Sequence, residues 1–527
     1  MLYSGIANVL RDISQAPRGQ KADKTANFLT GLELEMLCPS VRLLLGELWP
    51  PWEDREMGIG PEALLAALKE VSEDDVPLLR ERLGEMGLVA EAALQRKNQH
   101  PLSIEPLEAA SVYERLRHIS DLDGKDSEHR KNAVLRGLFL EATPLEGKYI
   151  ARTALRNMLA GIGSQAMISA LSSAFHCDRN KVQKAYNIMP EMGLIARAAR
   201  QQELDETIIQ PKMPIKPMII RPGKAISRGA FLPKYAGLRV QVHKAKGEIF
   251  VFTSRLRNII PSLGGLLPRL DGLTGDLIVD ADLIGFQDER ICSQTDMVWY
   301  INRRHHSLQN RISPALLAYD LVYLDGKDLT GLDYEERRRM LLTVLGAPKS
   351  LPFQGISPAE ERVLNNEDEV NDYLRQTRRA GGRGLVARGL EAPYLPGRCS
   401  DQDFIIGAEE TVSALVVRAE FGHVKKGKLL TRYRVALRSQ EDLVPVGWVS
   451  GRLRQREVSV LSDHLWSLAF DQDEKGVNVR PEVVLTLRIS GALLSKDEYR
   501  ILQPKIEEIR FDAALEEADE LDRLELI

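Results

Sequence analysis

The segment FLPKYAGLRVQVH, residues 231–243, gives the first indication of the fold. Lys234 stands next to Pro233 and just before a run, residues 237–243, in which apolar and polar side chains alternate. Alternation with a period of two is typical of a β-strand that has one buried face. The segment therefore predicts a strand that is immediately preceded by a lysine.

The sequence on either side of this strand divides the chain into three regions. Residues 1–207 carry apolar residues three and four apart, which predicts an all-helical region. Four prolines in IIQPKMPIKPMIIRP, residues 208–222, exclude a helix and predict an extended strap. Residues 208–406 then mix strands with helices, and residues 407–527 crowd short strands together as in a small β-barrel.

The same patterns predict individual elements. Apolar periodicity predicts helices over residues 61–71, 133–139, 149–159, 334–345 and 368–378. Alternation and short apolar runs predict strands over residues 237–243, 248–253, 276–284, 315–323, 414–419, 432–437 and 482–489. The acidic tail, residues 507–527, is interpreted as a solvated helical end.

Length and composition limit the class of protein. A chain of 527 residues suggests three or four folding units. The formal charge of −4 neither indicates nor excludes a polyanionic partner. Four widely spaced cysteines without a CxxC pair predict neither a disulfide framework nor a zinc ribbon, which favours a cytoplasmic protein. No apolar run approaches the roughly 18 residues of a membrane span, and collagen, coiled-coil and disordered classes are excluded as well.

Lys234 is the candidate nucleophile of the central region. A lysine desolvated among cations such as Arg239 and Arg255 is driven towards its neutral, nucleophilic form. A covalent phosphoramidate is one outcome of such chemistry. The pattern lysine-x-x-glycine is weak by itself, because a lysine at a strand end is usually solvated surface.

Other side chains suited to chemistry follow Lys234 in the central region. They are Arg255, Asp280, Asp282, Tyr319, Asp320, Arg388 and Arg398, in that order. Carboxylates suit metal and ribose contacts, aromatic rings suit base stacking, and arginine binds two phosphate oxygens at once. As an ordered set these residues carry more information than any of them alone.

This ordered set resembles the motifs of ATP-dependent DNA ligases of the archaeal and eukaryotic replicative type, members of the covalent nucleotidyltransferase superfamily. FLPKYAGLR resembles their nucleotide-lysine motif, DADLIGF their acidic strand and AYDLVYLDGKDL their adenine-stacking strand. GELWPPWEDREMGIG, residues 46–60, and EATPLEGKYIARTALRNMLAGIGSQAM, residues 141–167, are similar to their DNA-binding domain. The resemblance spans nearly the whole chain.

The resemblance implies a fold and a reaction. It implies an all-α DNA-binding domain over residues 1–207, an α+β adenylation domain over residues 208–406 and an OB-fold β-barrel over residues 407–527. The implied reaction seals nicks in duplex DNA during replication, recombination and repair. In it, Lys234 attacks ATP, AMP passes to a DNA 5′-phosphate, and a 3′-hydroxyl displaces AMP.

The resemblance also implies roles for particular residues. Lys234 is the implied catalytic nucleophile, Tyr319 stacks on adenine, and Asp282 provides the acidic group and the ligand for magnesium. The implied nucleotide-binding residues are Leu232, Arg239, Arg255, Asp282, Tyr319 and Arg398. ATP and Mg²⁺ are the implied cofactors. Since no zinc-finger cysteines are present, NAD is not expected as the donor.

Two basic groups are candidate DNA contacts. Lys148, Arg152 and Arg156 are spaced four apart, which predicts three cations on one helical face before a Gly-Ile-Gly turn. Lys425 and Lys426 belong to a basic stretch of the last region, of the kind that tracks a DNA backbone. The expected partner is nicked double-stranded DNA, bound by a monomer. Residues 95–102 carry no aromatic pair, so contact with a sliding clamp is not predicted.

Several positions depart from the family motifs where charge matters most. Ala236 replaces the acid of K-x-D-G, Asp282 replaces a glutamate, and Arg383 replaces the glutamate of E-G-x-x-x-K. Ile405 and Gly407 stand where two lysines are usual. Ala513 also stands where a lysine of the closing motif is expected. Losing two phosphate-facing cations at a few kcal/mol each lowers a rate by a factor of about 10⁴.

Two hypotheses of different classes follow from these departures. In the first, the chain is a working ligase in which Arg383, Arg388 and the Asp280/Asp282 pair form a rearranged phosphate site. In the second, it is a catalytically impaired, ligase-derived paralogue that binds nicked DNA. An RNA-capping or RNA-joining transferase shares the lysine chemistry but does not predict the large helical region before it.

Overall fold

The structure, a computed structural model, describes most of the chain in three regions. The described residues are all except 54, 99–104, 224–227, 271, 293, 302–310, 407–410, 423–428, 440–441, 451–452, 490–491, 496–497, 522–523 and 525–527. No helix among these residues is long and apolar enough to cross a membrane.

The first region is helical, as predicted. Its core joins buried residues such as Tyr3, Leu10 and Phe139, which face inward from different helices. The helices are α1 Tyr3–Gln15, α2 Arg18–Thr30, α3 Leu34–Leu45, α4 Pro61–Lys69, α5 Val76–Leu83, α6 Met86–Ala93, α7 Ala109–Ile119, α8 Ser127–Glu141, α9 Pro144–Ala154, α10 Ser164–Phe175, α11 Arg179–Ile188 and α12 Met192–Gln201.

Helix α9 begins and ends five residues earlier than the predicted helix over residues 149–159. It begins at Pro144, where Thr143 and Glu146 form a capping box. It ends because Arg156 adopts a left-handed conformation, with φ of 53°. The amide of Asn157 then donates to the Arg152 carbonyl at 2.9 Å, which satisfies a carbonyl at the helix end and turns the chain towards α10.

The second region contains two sheets. One has the order β4-β3-β5-β7-β8, with β6 paired to β5 and β9 to β7, and the other has the order β1-β12-β11-β2-β10. The strands are β1 Ile219–Pro222, β2 Gly229–Lys234, β3 Leu238–Ala245, β4 Glu248–Thr253, β5 Leu277–Gln287, β6 Arg290–Ile291, β7 Ser313–Leu324, β8 Lys327–Asp328, β9 Gly355–Pro358, β10 Arg362–Leu364, β11 Gly384–Arg388 and β12 Cys399–Ile406. Helices α13 Gln294–Ile301, α14 Tyr334–Leu345 and α15 Glu367–Arg379 accompany them.

The third region is a β domain with one helix. Its strands are β13 Thr411–Phe421, β14 Leu430–Ser439, β15 Asp442–Val449, β16 Ala469–Gln472, β17 Gly476–Val479, β18 Val484–Arg488, β19 Ala492–Ser495, β20 Glu498–Ile501 and β21 Lys505–Arg510, and α16 covers Gln455–Ser467. The order β15-β14-β13-β17-β16, with β18 joining β13 to β21, contains no pairing that closes a barrel among the described residues.

The interpretation of the acidic tail as a helical end is wrong. Residues 505–510 form β21, which pairs antiparallel with β18. Ile509 is buried in the core shared with the central region, so its apolar side chain and the free edge of β18 favour a strand despite the surrounding acids. The helix α16 is not predicted by the sequence patterns.

Contacts between the three regions enclose a central cavity of about 920 Å³. Arg18 of α2 forms an ion pair with Asp442 of β15 at 3.1 Å. Lys216 of the strap forms an ion pair with Glu516 at 2.7 Å. Phe470 of β16 packs against the core of the helical region. The β domain therefore contacts both other regions, and the cavity lies where all three meet.

Candidate active site

Lys234 lies at the wall of the central cavity, at the end of β2. Its Nζ is 3.2 Å from Oδ2 of Asp282, which projects from the middle of β5 in the other sheet. The Lys234 side chain is 30% exposed, whereas that of Asp282 is 3% exposed. A reactive amine is therefore held at a cavity surface by a buried carboxylate.

The cations predicted near Lys234 line the same cavity, but each of them is engaged by other groups. Arg239 is engaged by Asp280, with Nε to Oδ1 at 3.0 Å and Nη2 to Oδ2 at 2.6 Å. Arg255 is engaged by the β domain, as described below. The side chain in contact with the amine is the Asp282 carboxylate, which is positioned to accept its proton.

Gly237 allows the segment between β2 and β3 to lie close to β5 at this point. A Cβ at this position would lie 2.8 Å from Cβ of Asp282 and 3.0 Å from Cγ2 of Ile284. Backbone pairing of β3 with β5 places Arg239 opposite Asp282. The glycine of the lysine-x-x-glycine pattern thus has a packing role, since any side chain there would push β5 away from Lys234.

Tyr319 of β7 lines the same cavity. Its hydroxyl donates to the Pro233 carbonyl at 3.3 Å, immediately before the lysine. Burial, and secondly the charge of Asp282, raise the pKa of Tyr319 well above its usual range. The phenol is therefore neutral at physiological pH, and its ring is available as a flat apolar surface.

Asp280 holds the part of the cavity wall next to Asp282 through hydrogen bonds. Besides Arg239, it accepts a hydrogen bond from the Tyr394 hydroxyl at 3.0 Å. The same hydroxyl accepts from the Met218 amide at 3.1 Å, in the strap. Asp280 therefore fixes Arg239 and connects it to the chain segment that enters the central region. The role of Tyr394 cannot be predicted from the sequence, because the neighbouring residues 392–395, APYL, have no recognisable periodic pattern.

Arg388 and Arg383, which sequence analysis placed together in a rearranged phosphate site, have different environments. The Arg388 side chain is 2% exposed and contacts Asp320 at 2.6 Å and Asp403 at 3.2 Å. Arg337 contacts Asp320 as well, at 2.8 Å. Because both carboxylates are engaged and buried, Arg388 stabilises the fold, although it also borders the cavity, and its contact with phosphates stays a prediction. The side chain of Arg383 is 42% exposed and lines the cavity.

The turn after β4 connects the cavity to the β domain. Arg255 donates to the carbonyls of Ala513 at 2.5 Å and Pro481 at 2.9 Å, and its Nη1 is 2.9 Å from Glu482. Arg257 forms an ion pair with Asp512 at 3.2 Å. Arg255 is therefore occupied in this arrangement by contacts between regions, and its predicted contact with phosphates or the nicked strand requires it to exchange partners.

Glu482 is the centre of charge at this contact. Arg480 lies 3.0 Å from it, and Arg255 approaches from the central region. Although burial opposes its ionisation, Arg255, Arg480 and Arg156 lower the pKa of Glu482 to about 2. Neither Glu482, just before β18, nor Glu508 of β21, which pairs with Arg383, is predicted from the sequence, because both stand among residues of mixed charge.

Three further predicted positions differ in their access to the cavity. Leu232 of β2 is completely buried and does not line it. Arg398 is exposed just before β12 and does not line it either. Ile405 does line it, and pairs with Val386 across β11 and β12. The cavity wall is therefore apolar at a position where the family motif has a lysine.

The predicted arrangement of three cations on one helical face is wrong, because Arg156 lies beyond the helix, while their contact with DNA stays a prediction. Lys148 is 2.7 Å from Glu91, and Arg152 is 3.0 Å from Glu85, with side chains only 15% and 9% exposed. Both join α9 to α6 or its cap. Arg156 lies beyond the end of α9, is exposed, and lines the cavity. Of the three, Arg156 has the position best suited to DNA.

Some predictions fall outside the described residues. These are Lys425 and Lys426 in the β domain, Gly407 after β12, and residues 99–102 of the segment considered for clamp contact. They stay predictions.

No group of three or more acidic, histidine or cysteine side chains arranged to hold a metal occurs within the described ranges. Asp282 is the carboxylate in contact with Lys234, and Arg383 occupies the position of a usual acid. Magnesium, however, is commonly bound through one or two carboxylates together with substrate phosphates. The side chains present therefore suit a metal ion that is bound mainly by the phosphates of a nucleotide and by one protein carboxylate.

Comparison with known proteins identifies relatives along the whole chain. A family model described as DNA ligase N terminus matches residues 2–172, and one described as ATP dependent DNA ligase domain matches residues 224–402. The chain is 28% identical to a DNA ligase of Methanothermobacter thermautotrophicus, over 100% of this chain and 97% of the relative. It is 29% identical to a DNA ligase of Methanothrix thermoacetophila, over 99% and 97%. It is 26% identical to a DNA ligase of Thermococcus fumicolans, over 99% and 98%.

These matches agree with the site, since Lys234 lies near the start of the second matched segment and contacts Asp282 at the cavity wall. They also extend beyond the central region, since the relatives align over almost their full length. The chain belongs to the ATP-dependent DNA ligase family.

Proposed function

We propose that this chain seals nicks in duplex DNA through a Lys234–AMP intermediate, with ATP as the donor, in DNA replication, recombination and repair. The observation that carries the proposal is the contact of Lys234 with Asp282 at the wall of a cavity bordered by all three regions. Membership of the ligase family supports the choice of DNA as substrate.

The reaction balances in three steps. Nζ of Lys234 attacks the α-phosphorus of ATP, a nitrogen–phosphorus bond forms, and the bond to the pyrophosphate oxygen breaks. An oxygen of the DNA 5′-phosphate next attacks the same phosphorus and displaces Lys234. The 3′-hydroxyl then attacks the DNA phosphorus, joins the strand and releases AMP.

The residues of the cavity divide these tasks. Asp282 takes the proton that leaves the Lys234 amine, since its carboxylate lies 3.2 Å from Nζ. The Tyr319 ring stacks on adenine, and its neutral phenol avoids repulsion with the phosphates. Arg239, held by Asp280, faces the phosphates or the nicked strand. Leu232 supports the site as a buried residue of β2, the strand that carries Lys234. Arg398 supports it from the position just before β12.

Magnesium is proposed to enter with ATP, and Asp282 is the residue that would ligate it. When bound, the ion would neutralise phosphate charge as pyrophosphate leaves. Because Arg383 replaces an acid and Asp282 pairs with Lys234, the chain offers fewer carboxylates to the ion than the family motif does.

DNA is proposed to bind along the helical region and the β domain. Arg156 is the described cation that supports this, because it is exposed at the cavity. We also propose that the β domain is an OB-fold, which its short antiparallel strands around β13 support. We further propose that the chain acts as a monomer in the cytoplasm. Its domain boundaries are proposed at 207/208 and 406/407.

A catalytically impaired, nick-binding paralogue is the second candidate. Two observations favour it: Ile405 gives the cavity wall an apolar side chain, and the acid of the E-G-x-x-x-K motif is Arg383. A binding protein needs no ligands for a triphosphate, whereas a ligase does.

Incubation with α-labelled ATP and Mg²⁺ or Mn²⁺ separates the two candidates. We expect label to become covalently attached to the wild-type chain and not to Lys234→Ala. Lys246→Ala is the matched control, since Lys246 is exposed beyond the other end of β3 and should leave labelling unchanged. The labelled chain should then seal a nicked duplex and release AMP.

Absence of covalent label, with salt-sensitive binding of nicked DNA retained, would reject the ligase proposal and favour the paralogue. Label that persists in Lys234→Ala would place the nucleophile elsewhere.

A further inference from the structure

We infer that Arg383 binds the β- and γ-phosphates of ATP in this chain, and that Glu508 of the β domain competes for the same guanidinium. The inference deepens the proposed function and rests on it for the identity of the nucleotide. It assigns to one arginine part of the task that the family motifs give to lysines and a carboxylate-bound metal.

The backbone fixes Arg383 beside the nucleophile. Its amide donates to the carbonyl of Lys234 at 2.7 Å. The next residue, Gly384, lies directly opposite Lys234 in the antiparallel pairing of β11 with β2. Arg383 is therefore anchored within one residue of the reacting lysine, on a rigid sheet rather than on a free loop.

The side chain of Arg383 is available to a ligand in a way that Arg388 is not. Arg383 is 42% exposed and lines the cavity together with Lys234 and Tyr319. Arg388, five residues later, is 2% exposed between two carboxylates. Of these two arginines, only Arg383 can turn to a phosphate without leaving a buried acid unpaired.

The present partner of Arg383 is weakly held. Its Nη1 is 3.2 Å from Oε1 of Glu508, and the Glu508 side chain is 28% exposed. A partly exposed single contact of this kind contributes little to stability. A triphosphate offers several charged oxygens to the planar guanidinium fork, which can bind two of them at once. A bound nucleotide is therefore expected to displace Glu508.

The cavity wall beside Arg383 explains why a cation is useful there. Ile405 provides no charge at a position where the family motif has a lysine. The nearby acids are already paired, Asp282 with Lys234, Glu507 with Arg488 and Glu508 with Arg383 itself. A triphosphate entering there needs a cation in place of the missing lysine, and Arg383 carries that charge next to Lys234.

Binding of α,β-methylene ATP tests the inference without any bond being broken. We expect Arg383→Gln to weaken binding of this analogue by at least about ten-fold, as the loss of a charge-assisted contact predicts. Binding of AMP, which lacks the β- and γ-phosphates, should change much less. Glu508→Gln should strengthen analogue binding, because it releases the guanidinium.

Matched controls come from an exposed ion pair in the same region. Arg375 and Asp372 of α15 contact each other with side chains that are both 62% exposed, and neither lines the cavity. Arg375→Gln and Asp372→Asn change the net charge by the same amounts as the test variants. We expect both to leave analogue binding unchanged, and thermal unfolding should show that all four variants fold.

Three results would overturn the inference: analogue binding unchanged in Arg383→Gln, equal losses for analogue and AMP, or weaker analogue binding in Glu508→Gln. The last would mean that the ion pair holds the regions together and that Arg383 does not contact phosphate. If Arg383-dependent analogue binding is found but label never attaches to Lys234, the inference stands and the proposed ligase function fails.

Discussion

At the scale of single residues, the reactive amine and its acceptor form a short ion pair across two sheets. Asp282 is shorter by one methylene than the glutamate usual in the family motif, yet its oxygen reaches Lys234 at 3.2 Å. Gly237 contributes to this contact, because the segment that follows Lys234 can lie close to β5 only where there is no side chain. The substitution of glutamate by aspartate is therefore accommodated by packing.

Asp282→Asn tests the proposed proton acceptor. The amide keeps the size of the side chain but cannot accept the lysine proton as a carboxylate does, so we expect attachment of AMP to Lys234 to slow by about 10²-fold. The rate of labelling with α-labelled ATP measures this. Asp288→Asn, an exposed change in the turn after β5, is the control and should label normally. Unchanged labelling in Asp282→Asn would remove Asp282 from the mechanism.

Tyr319 gives a prediction about stacking. If the ring stacks on adenine, Tyr319→Phe should label nearly as fast as wild type, since the ring is kept and only the hydrogen bonds of the hydroxyl, to the Pro233 carbonyl and to Asp282, are lost. Tyr319→Ala should lose affinity for ATP by about ten-fold, the usual scale of a base–aromatic stack. The dependence of labelling rate on ATP concentration provides the comparison. Equal losses in both variants would mean that the hydroxyl, not the ring, is required.

At the scale of elements, helix α9 shows how a sequence pattern can mislead. Lys148, Arg152 and Arg156 have the spacing of a basic helical face, but the helix ends at Ala154. Two of the three cations then meet acids on or before α6, and the third is carried onto the following turn. Spacing predicts which side chains share a face, whereas the facing element decides whether that face is solvent or core.

Arg152→Gln and Arg156→Gln should separate stability from DNA binding. Arg152→Gln leaves Glu85 without its partner at a largely buried site, so we expect a loss of about 2 kcal/mol in the free energy of unfolding. Arg156→Gln should lower stability less than Arg152→Gln, since Arg156 only adds its charge to that of Arg255 and Arg480 near Glu482, and it should weaken binding of nicked duplex with a smaller slope against salt concentration.

Chemical denaturation and DNA binding at several salt concentrations measure the two effects. DNA affinity that falls more in a folded Arg152→Gln than in Arg156→Gln would reverse the assignment of these two residues.

At the scale of the whole molecule, the cavity depends on contacts from three regions. Arg255 contacts Glu482, Arg257 contacts Asp512, and Phe470 packs on the helical core. These contacts bring the β domain over Lys234. Each of these contacts involves charges or a single ring, and they lie beside the apolar core that the central region and the β domain share.

Glu482→Gln should loosen this arrangement in a pH-dependent way. The pKa of Glu482 is about 2, against an ordinary value of 4.5, so its ionised form stabilises the native state above pH 4.5. That contribution is lost as the pH falls from about 4.5 towards 2. We expect the variant to be less stable than wild type by about 2 kcal/mol at pH 7, and the difference to shrink below pH 4.5.

Thermal unfolding between pH 7 and pH 3.5 measures this difference. The exposed Glu498 of β20 provides the control variant Glu498→Gln, which should follow wild type at every pH. A constant difference between wild type and Glu482→Gln across this range would exclude the titration of Glu482 as its source.

The sequence by itself determined the helical first region, most strands of the centre, and the reactive set led by Lys234. These features depend on local periodicity and on short motifs whose spacing is set within one strand or helix. Alternation around residues 237–243 and 248–253 was enough to predict β3 and β4, and the order of lysine, acid and tyrosine was enough to predict the family.

Only the tertiary structure decided which charges are available. Arg388 and Arg383 belong to one motif, yet one is buried between Asp320 and Asp403 and the other faces the cavity and Glu508. The beginning of the acidic tail forms β21 because it pairs with the edge of β18, a strand that is not adjacent to it in the chain. Long-range pairing and burial set the partner of each charge, and neither can be derived from the spacing of residues along the chain.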